Sequence, residues 1–488
     1  MGACSDVPVI GAEAGGYTPG GKAVSRMRCG LGKGLPVAGV LVLVVPLLFV
    51  LATPVAAATR CVNAGGTGGC YSSIQAAVNA ANGGDVIEVY PGTYDESVNV
   101  STMNSVGDLT LVTVNDSGTP TPGTVTIEYH AIGAEIYTSP ALNGSLTIDG
   151  FIVHSAYPGI GVAVDGGPGA NRDVVIRNVT ASETAEDGIV ASADGSVTIT
   201  RCTASNNEEN GIRISDVGGD VSISECTTSG NVQNGIWLSR VDGAATISNC
   251  TAAGNAVGFM ADGLSGSLTI ESCLFSGNEV GVEFDELTEA DEVLVKGSII
   301  CGNSSYGLDA DETATISAEG NWWGCTEGPN DPGGACDLVS PGPPFVDFTP
   351  WIDTITASAP ASVMAGEAAP VTFQFSGGNG AVFLGQGPGD LHGDPTFVVS
   401  TDNGTVVDPG FINEPYGVLA ASLIPASGGT AVVTLDGPCG LDAVVALGAW
   451  EFVPEPGSVL LLGSGLMGLA GYGALRLRSR QGLRPRMR

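Results

Sequence analysis

Between residues 174 and 314, apolar and polar positions alternate in short bursts, and the bursts recur. Four consecutive units open with VTITRC, VSISEC, ATISNC and LTIESC, with Val, Ile, Leu or Ala at alternate positions and mostly Thr or Ser between them. A period of two predicts a strand with one side in a core and the other toward water. A second burst follows a glycine in each unit: Ile212 and Ile214, Ile236 and Leu238, Val282 and Phe284. The units run 22–25 residues, a repeat length that predicts a solenoid. None carries a helical period, so leucine-rich and helical repeats are excluded. Two or three short strands per unit predict a parallel β-helix whose turns stack about 4.8 Å apart.

Two columns support exact stacking of the turns. Cys202, Cys226, Cys250 and Cys273 are 24, 24 and 23 residues apart, with Val179 and Ser298 at the same place in the flanking units. Asn207, Asn231, Asn255, Asn278 and Asn303 each follow that column by five residues. Asn suits a bend, and stacked Asn amides can bond along a ladder. Gly188, Gly211, Gly235, Gly258, Gly281 and Gly307 mark the next corner. Four thiols in a line cannot form a tetrahedron, so the Cys column reads as small buried side chains, with disulfides between neighbouring turns as the alternative. Cys61 with Cys70 and Cys325 with Cys336 are better disulfide candidates, each closing a short loop. Cys301 and Cys439 have no evident partner.

A solenoid needs its ends covered. In YSSIQAAVNAANGGDVIEVYPGTYDESVNV, Ile74, Ala77, Val78 and Ala81 share one face of a short helix, and a strand follows at 86–90. This stretch resembles the N-terminal turn of right-handed parallel β-helix proteins of the pectate-lyase-like superfamily. NWWGCTEGPNDPGG and FVDFTPWI, within 321–352, resemble the closing turn of bacterial members. The expected solenoid therefore covers 59–352, with Trp322 and Trp323 as capping residues. Residues 353–453 alternate between Pro and Gly turns and predict a β-sandwich-like domain or β-rich spacer.

The ends of the chain differ from its body. LPVAGVLVLVVPLLFVLA (35–52) follows Lys22, Arg26, Arg28 and Lys33 and precedes the small residues of TPVAAATR. This predicts a signal peptide over 1–58, cut by signal peptidase after Ala58, with Met27 as an alternative start. The C-terminus reads VPEPGS, then an uncharged run at about 457–475, then six arginines. The run is just long enough to cross a bilayer, and the arginines should stay cytoplasmic. Pro454, Glu455 and Pro456, the apolar run and the basic end together resemble the PEP-CTERM sorting signal of Gram-negative bacteria (454–488). That resemblance implies processing by an exosortase-type membrane protease, and a place at the cell envelope, cell surface or exopolysaccharide matrix after transient anchoring in the inner membrane.

Charge narrows the partners. Residues 59–453 hold seven basic residues against 48 acidic ones, which disfavours nucleic acid. Divalent cations are the alternative, and Glu283, Asp285, Asp309 and Asp311 are the candidate calcium ligands. The signatures of pectate lyases, galacturonases and alginate epimerases are missing, so no catalytic residue is assigned. His130, His154 and His392 read as surface or turn residues. One column, two residues after each corner glycine, runs Val190, Arg213, Trp237, Met260, Glu283, Asp309 and should face solvent. Arg213 and Trp237 in it form a candidate glycan-stacking platform. The expected function is an exported, non-catalytic protein that binds or organises polysaccharide. A lyase or hydrolase with an unfamiliar site, and an adhesin or spacer, are the alternatives.

Overall fold

The computed structural model describes residues 57–450, apart from 104–106, 130–134, 139–143, 156–159, 165–172, 288–291, 312–314, 332–333, 335, 344, 378–397, 413–417, 438 and 440–441. From Thr59 to Asp347 the chain winds through three parallel sheets of 12, 9 and 10 strands. One turn shows the plan: Val197–Thr200 lies in the first sheet, Thr203–Ser205 in the second and Ile212–Val217 in the third. Each strand pairs in phase with its copy one turn on, Val197 with Val221, Thr203 with Thr227, Ile212 with Ile236. In-phase pairing stacks like on like. Val197, Ile199, Ala204, Ile212 and Ile214 therefore join one continuous core, which the period-two pattern requires. At the N-terminal end a short helix, Ile74–Ala80, buries Ile74, Ala77 and Val78 on the first turn. Its first turn is capped by Ser73, whose Oγ accepts from the Ala76 N–H.

The bend between the first and second strands has a fixed chemistry. The residue before each cysteine, and Asn178 before Val179 at the same place, is left-handed: Asn178, Arg201, Glu225, Asn249 and Ser272 have φ between 53° and 56°. The cysteines that follow are free and buried. Each thiol donates to the carbonyl two residues back, at Thr200, Ser224, Ser248 and Glu271 (3.2–3.5 Å). The sulfurs also accept: Cys202 N–H donates to Cys226 Sγ (3.4 Å) and Cys250 N–H to Cys273 Sγ (3.5 Å). Burial pushes the Cys202 and Cys250 thiols well above the usual range, so they stay protonated. The column thus fills volume and closes the bend. Ser298 and Asn321 continue it with oxygen acceptors, for Cys273 N–H (3.1 Å) and Ser298 N–H (2.9 Å).

The asparagine column is a hydrogen-bonded ladder with a direction. Asn207, Asn231, Asn255 and Asn278 each donate a backbone N–H and Nδ2 to Oδ1 of the Asn one turn on. The last, Asn303, donates both to Asp337 Oδ2 (3.2 and 2.6 Å). A second, shorter ladder runs the other way. Asn234 donates both groups to Asn210 Oδ1, and Asn210 donates both to Asp187 Oδ1. Each ladder ends on a buried carboxylate, the group that accepts without having to donate.

After Thr354 the chain forms two four-stranded sheets, antiparallel except where Ser362–Met364 runs parallel to Ala443–Trp450. Val371, Phe373, Phe375 and Leu419 of one share a core with Ala431, Val433, Leu435 and Leu447 of the other. This core also takes in the outer face of the last solenoid turns. On the second sheet an outward row runs Thr180, Thr203, Thr227, Thr251, then Leu274 and Ile299. Leu274, Ile299, Cys301 and Trp322 lie buried against the later sheets.

Two expectations are corrected at this junction. Cys301 and Cys439 do have a partner, each other, across 138 residues of sequence with their Cα atoms 6.1 Å apart. Trp322 packs under the later sheets, and its Nε1–H donates to the Cys439 carbonyl (3.2 Å), while Trp323 lies in the solenoid core. The other two pairs, Cys61–Cys70 and Cys325–Cys336, are bonded as well. Cys439→Ser should destabilise the later sheets by about 2–5 kcal/mol and leave the solenoid folded. Limited proteolysis checks this: cleavage should speed up after residue 353 and stay unchanged before it.

Candidate functional site

The outward row of the third sheet is set by register alone. Tyr137, Ala163, Val190, Arg213, Trp237, Met260, Glu283 and Asp309 are successive strand partners. Their neighbours in sequence, Ile212 and Ile214 or Ile236 and Leu238, point into the core. At its centre Arg213 lies over Trp237, with Cζ 5.9 Å from the ring centroid. The guanidinium is held from behind: Arg213 Nε sits 3.0 Å from Asp187 Oδ2, angled as an ion pair and not as a hydrogen bond. The Asp187 side chain is 2 % exposed and that of Arg213 33 %. The expectation of a solvent-facing pair is therefore corrected to a half-buried one: Asp187 holds the Arg213 guanidinium down, and Arg213 lies over Trp237. Trp237 Nε1 is buried with no hydrogen-bond partner among the described residues. Stacking and ion pairing fix one flat aromatic face and one cation at adjacent turns, a shelf suited to the apolar face of a sugar ring.

Beside this shelf, burial first, then Asp187 and Glu186, raise the Glu209 carboxyl above the usual range. Arg213 opposes that rise.

The other cations are engaged in the same way. Arg60 pairs with Asp85 (2.8 Å), Arg177 with Asp149 (2.9 Å), Arg201 with Glu225 (3.9 Å), Arg240 with Asp216 (2.6 Å) and Lys296 with Glu271 (3.2 Å). Every Lys and Arg among the described residues is thus matched to an acid one turn away. The acids it leaves over dominate the surface.

The candidate calcium residues are only partly brought together. Glu283 and Asp309 are direct partners on adjacent turns, whereas Asp285 aligns with Asp262. Burial first, then Asp309, Asp285 and Glu279, raise the Glu283 carboxyl above the usual range. Among the described residues no three of these carboxylates lie within 4.8 Å of one another. The one such group joins Glu327 to Cys325 and Cys336, whose sulfurs are bonded to each other. His154 contacts Ser182 one turn on (Nδ1 to Oγ 3.2 Å), as a surface strand residue would. His130, His392, the signal segment before residue 57 and the tail with Pro454, Glu455 and Pro456 lie outside the described residues. Among the described residues no helix is long and apolar enough to cross a membrane.

Sequence reasoning missed Asp187 and the Asn210–Asn234 ladder. Their signal was present, as polar residues directly before the corner glycines Gly188, Gly211 and Gly235.

Residues 159–322 match the family described as right handed beta helix region, and residues 452–478 match the PEP-CTERM protein-sorting motif. No curated protein matches the chain. Solved structures similar to it include pectate lyase Pel9A, at 17% identity and TM-score 0.34, covering 53% of this chain and 80% of that one. Tailspike protein 2 of Escherichia coli O157:H7 bacteriophage CAB120 is 12% identical with TM-score 0.37, over 77% and 60% of the two chains. Tailspike protein gp49 of Acinetobacter baumannii bacteriophage Fri1, a capsular polysaccharide depolymerase, is 9% identical with TM-score 0.32, over 76% and 74%. A likeness at this level carries neither activity nor substrate across.

Proposed function

We propose that this right-handed parallel β-helix protein, which carries a PEP-CTERM sorting motif, is displayed at the cell surface or in the extracellular matrix and there binds polysaccharide without catalysis. The solenoid of 59–352 is the binding body, and the sheets of 353–453 close its last turns. The tail is anchored through 457–475 and removed near Pro454, Glu455 and Pro456 by an exosortase-type protease. The observation that carries the binding role is the Arg213–Trp237 shelf, held in place by the buried Asp187. The non-catalytic reading is supported by the fate of the cations: among the described residues Arg213, Lys296 and the rest are each engaged in an ion pair with an acid one turn away.

The test uses the exported protein purified from a Gram-negative host, against neutral and acidic polysaccharides with and without calcium. Binding to at least one is expected. Trp237→Ala should weaken that binding about tenfold, close to 1.4 kcal/mol. No binding to any glycan would remove the reading. Release of unsaturated or reducing ends would replace it with an enzyme.

A further inference from the structure

The small residues before Thr59 allow two cuts. Ala56-Ala57-Ala58 permits cleavage after Ala58, and Val55-Ala56-Ala57 permits it one residue earlier. The fold distinguishes the products. Ala58 is already part of the first turn: its carbonyl accepts from the Val86 N–H (2.9 Å) and its N–H donates to Asp85 Oδ1 (2.8 Å). Asp85 is 1 % exposed, and its other oxygen takes Arg60 Nε (2.8 Å) and the Asn82 N–H (2.9 Å). Thr59–Val62, which follows at once, is the edge strand of the twelve-stranded sheet.

We infer that the leader is removed between Ala57 and Ala58, so that the mature chain begins with an ammonium group at Ala58 seated on the Asp85 carboxylate. The inference rests on the export reading above. In the cut, water breaks the Ala57–Ala58 peptide bond: its oxygen stays on Ala57 as a carboxylate that leaves with the leader. The Ala58 nitrogen takes both of the water's protons and becomes the ammonium. A cut after Ala58 would delete both hydrogen bonds of that residue and leave Asp85 Oδ1 without its donor. A cut before it keeps both and converts an amide donor into a charged one, the stronger partner for a carboxylate. Ala58 is exposed, so the remaining ammonium protons reach water. The protease acts on the unfolded chain, and the fold is built around only one of the two products.

N-terminal peptide mapping of the exported protein decides the question. A first residue of Ala58 is expected. A first residue of Thr59 overturns the inference and leaves export standing, whereas a chain that retains its leader overturns both. A second measurement follows the pairing itself. At neutral pH the α-amine of the folded protein should acylate about tenfold more slowly than in the unfolded chain, because the Asp85 carboxylate holds it as the unreactive ammonium. Equal reactivity in the two states would overturn the Asp85 contact.

Discussion

Gly235→Ala is expected to destabilise the solenoid by about 3 kcal/mol, at the upper end of what overpacking costs. A Cβ at that position would lie 2.6 Å from the Gly258 carbonyl oxygen and from Thr228 Oγ1, and 2.8 Å from Asn255 Nδ2. Backbone and ladder are both in the way, and neither can retreat without parting two turns. The same approach recurs at Gly188, Gly211, Gly258 and Gly281, where a Cβ would come within 2.5–2.8 Å of the next turn's glycine carbonyl. Gly277 supplies the control. Its φ of +65° is left-handed, but nothing lies within 4 Å of the added carbon, so Gly277→Ala should cost only about 1 kcal/mol. Denaturant titration of both variants gives the comparison. Equal losses would mean that the corner is not a close contact between turns.

Cys226→Asp should be more damaging, about 3–5 kcal/mol at neutral pH. The sulfur it replaces faces the carbonyls of Ser224 (3.2 Å) and Ile199 (3.8 Å) and accepts from the Cys202 N–H (3.4 Å), so a carboxylate there would meet two oxygens for that one donor. Burial raises the folded-state pKa of such an acid above its unfolded value. The acid is protonated in both states at low pH, and the penalty grows as pH rises through the unfolded pKa near 4. The deficit against the parent protein should therefore shrink on acidification, a direction opposite to ordinary acid unfolding. Cys226→Ser should cost far less, since Ser298 already holds the equivalent place, accepting from Cys273 N–H and donating to the Lys296 carbonyl. An unchanged melting curve for Cys226→Asp would place the column outside the core.

The columns were legible because in-phase pairing makes one-dimensional spacing into vertical alignment. Cys202 and Cys226, or Asn231 and Asn255, need no knowledge of side-chain placement to be stacked. The direction of the Asn ladders was not legible, since an amide both donates and accepts. Only the end groups, Asp337 and Asp187, settle it. The Cys301–Cys439 bond was out of reach for another reason: Cys301 ends a solenoid strand and Cys439 lies in the connection between Gly429–Asp436 and Ala443–Trp450, with no repeat to align them. A trace was nonetheless present. Leu274 and Ile299 stand where earlier turns have Thr, and an apolar residue on an outward position signals a cover. Register placed Arg213 beside Trp237, but only the structure supplied Asp187 as the buried counter-charge that holds them.

The ion pairs and ladder bonds of the solenoid mostly span 23–28 residues, one turn of chain. Such a molecule has little need to find distant partners while folding. Each turn has its template as soon as the previous one is complete, so a chain threaded outward across a membrane, N-terminus first, can assemble in the order in which it emerges. The exception comes last: the Cys301–Cys439 bond waits for the final sheets and then closes over turns already built.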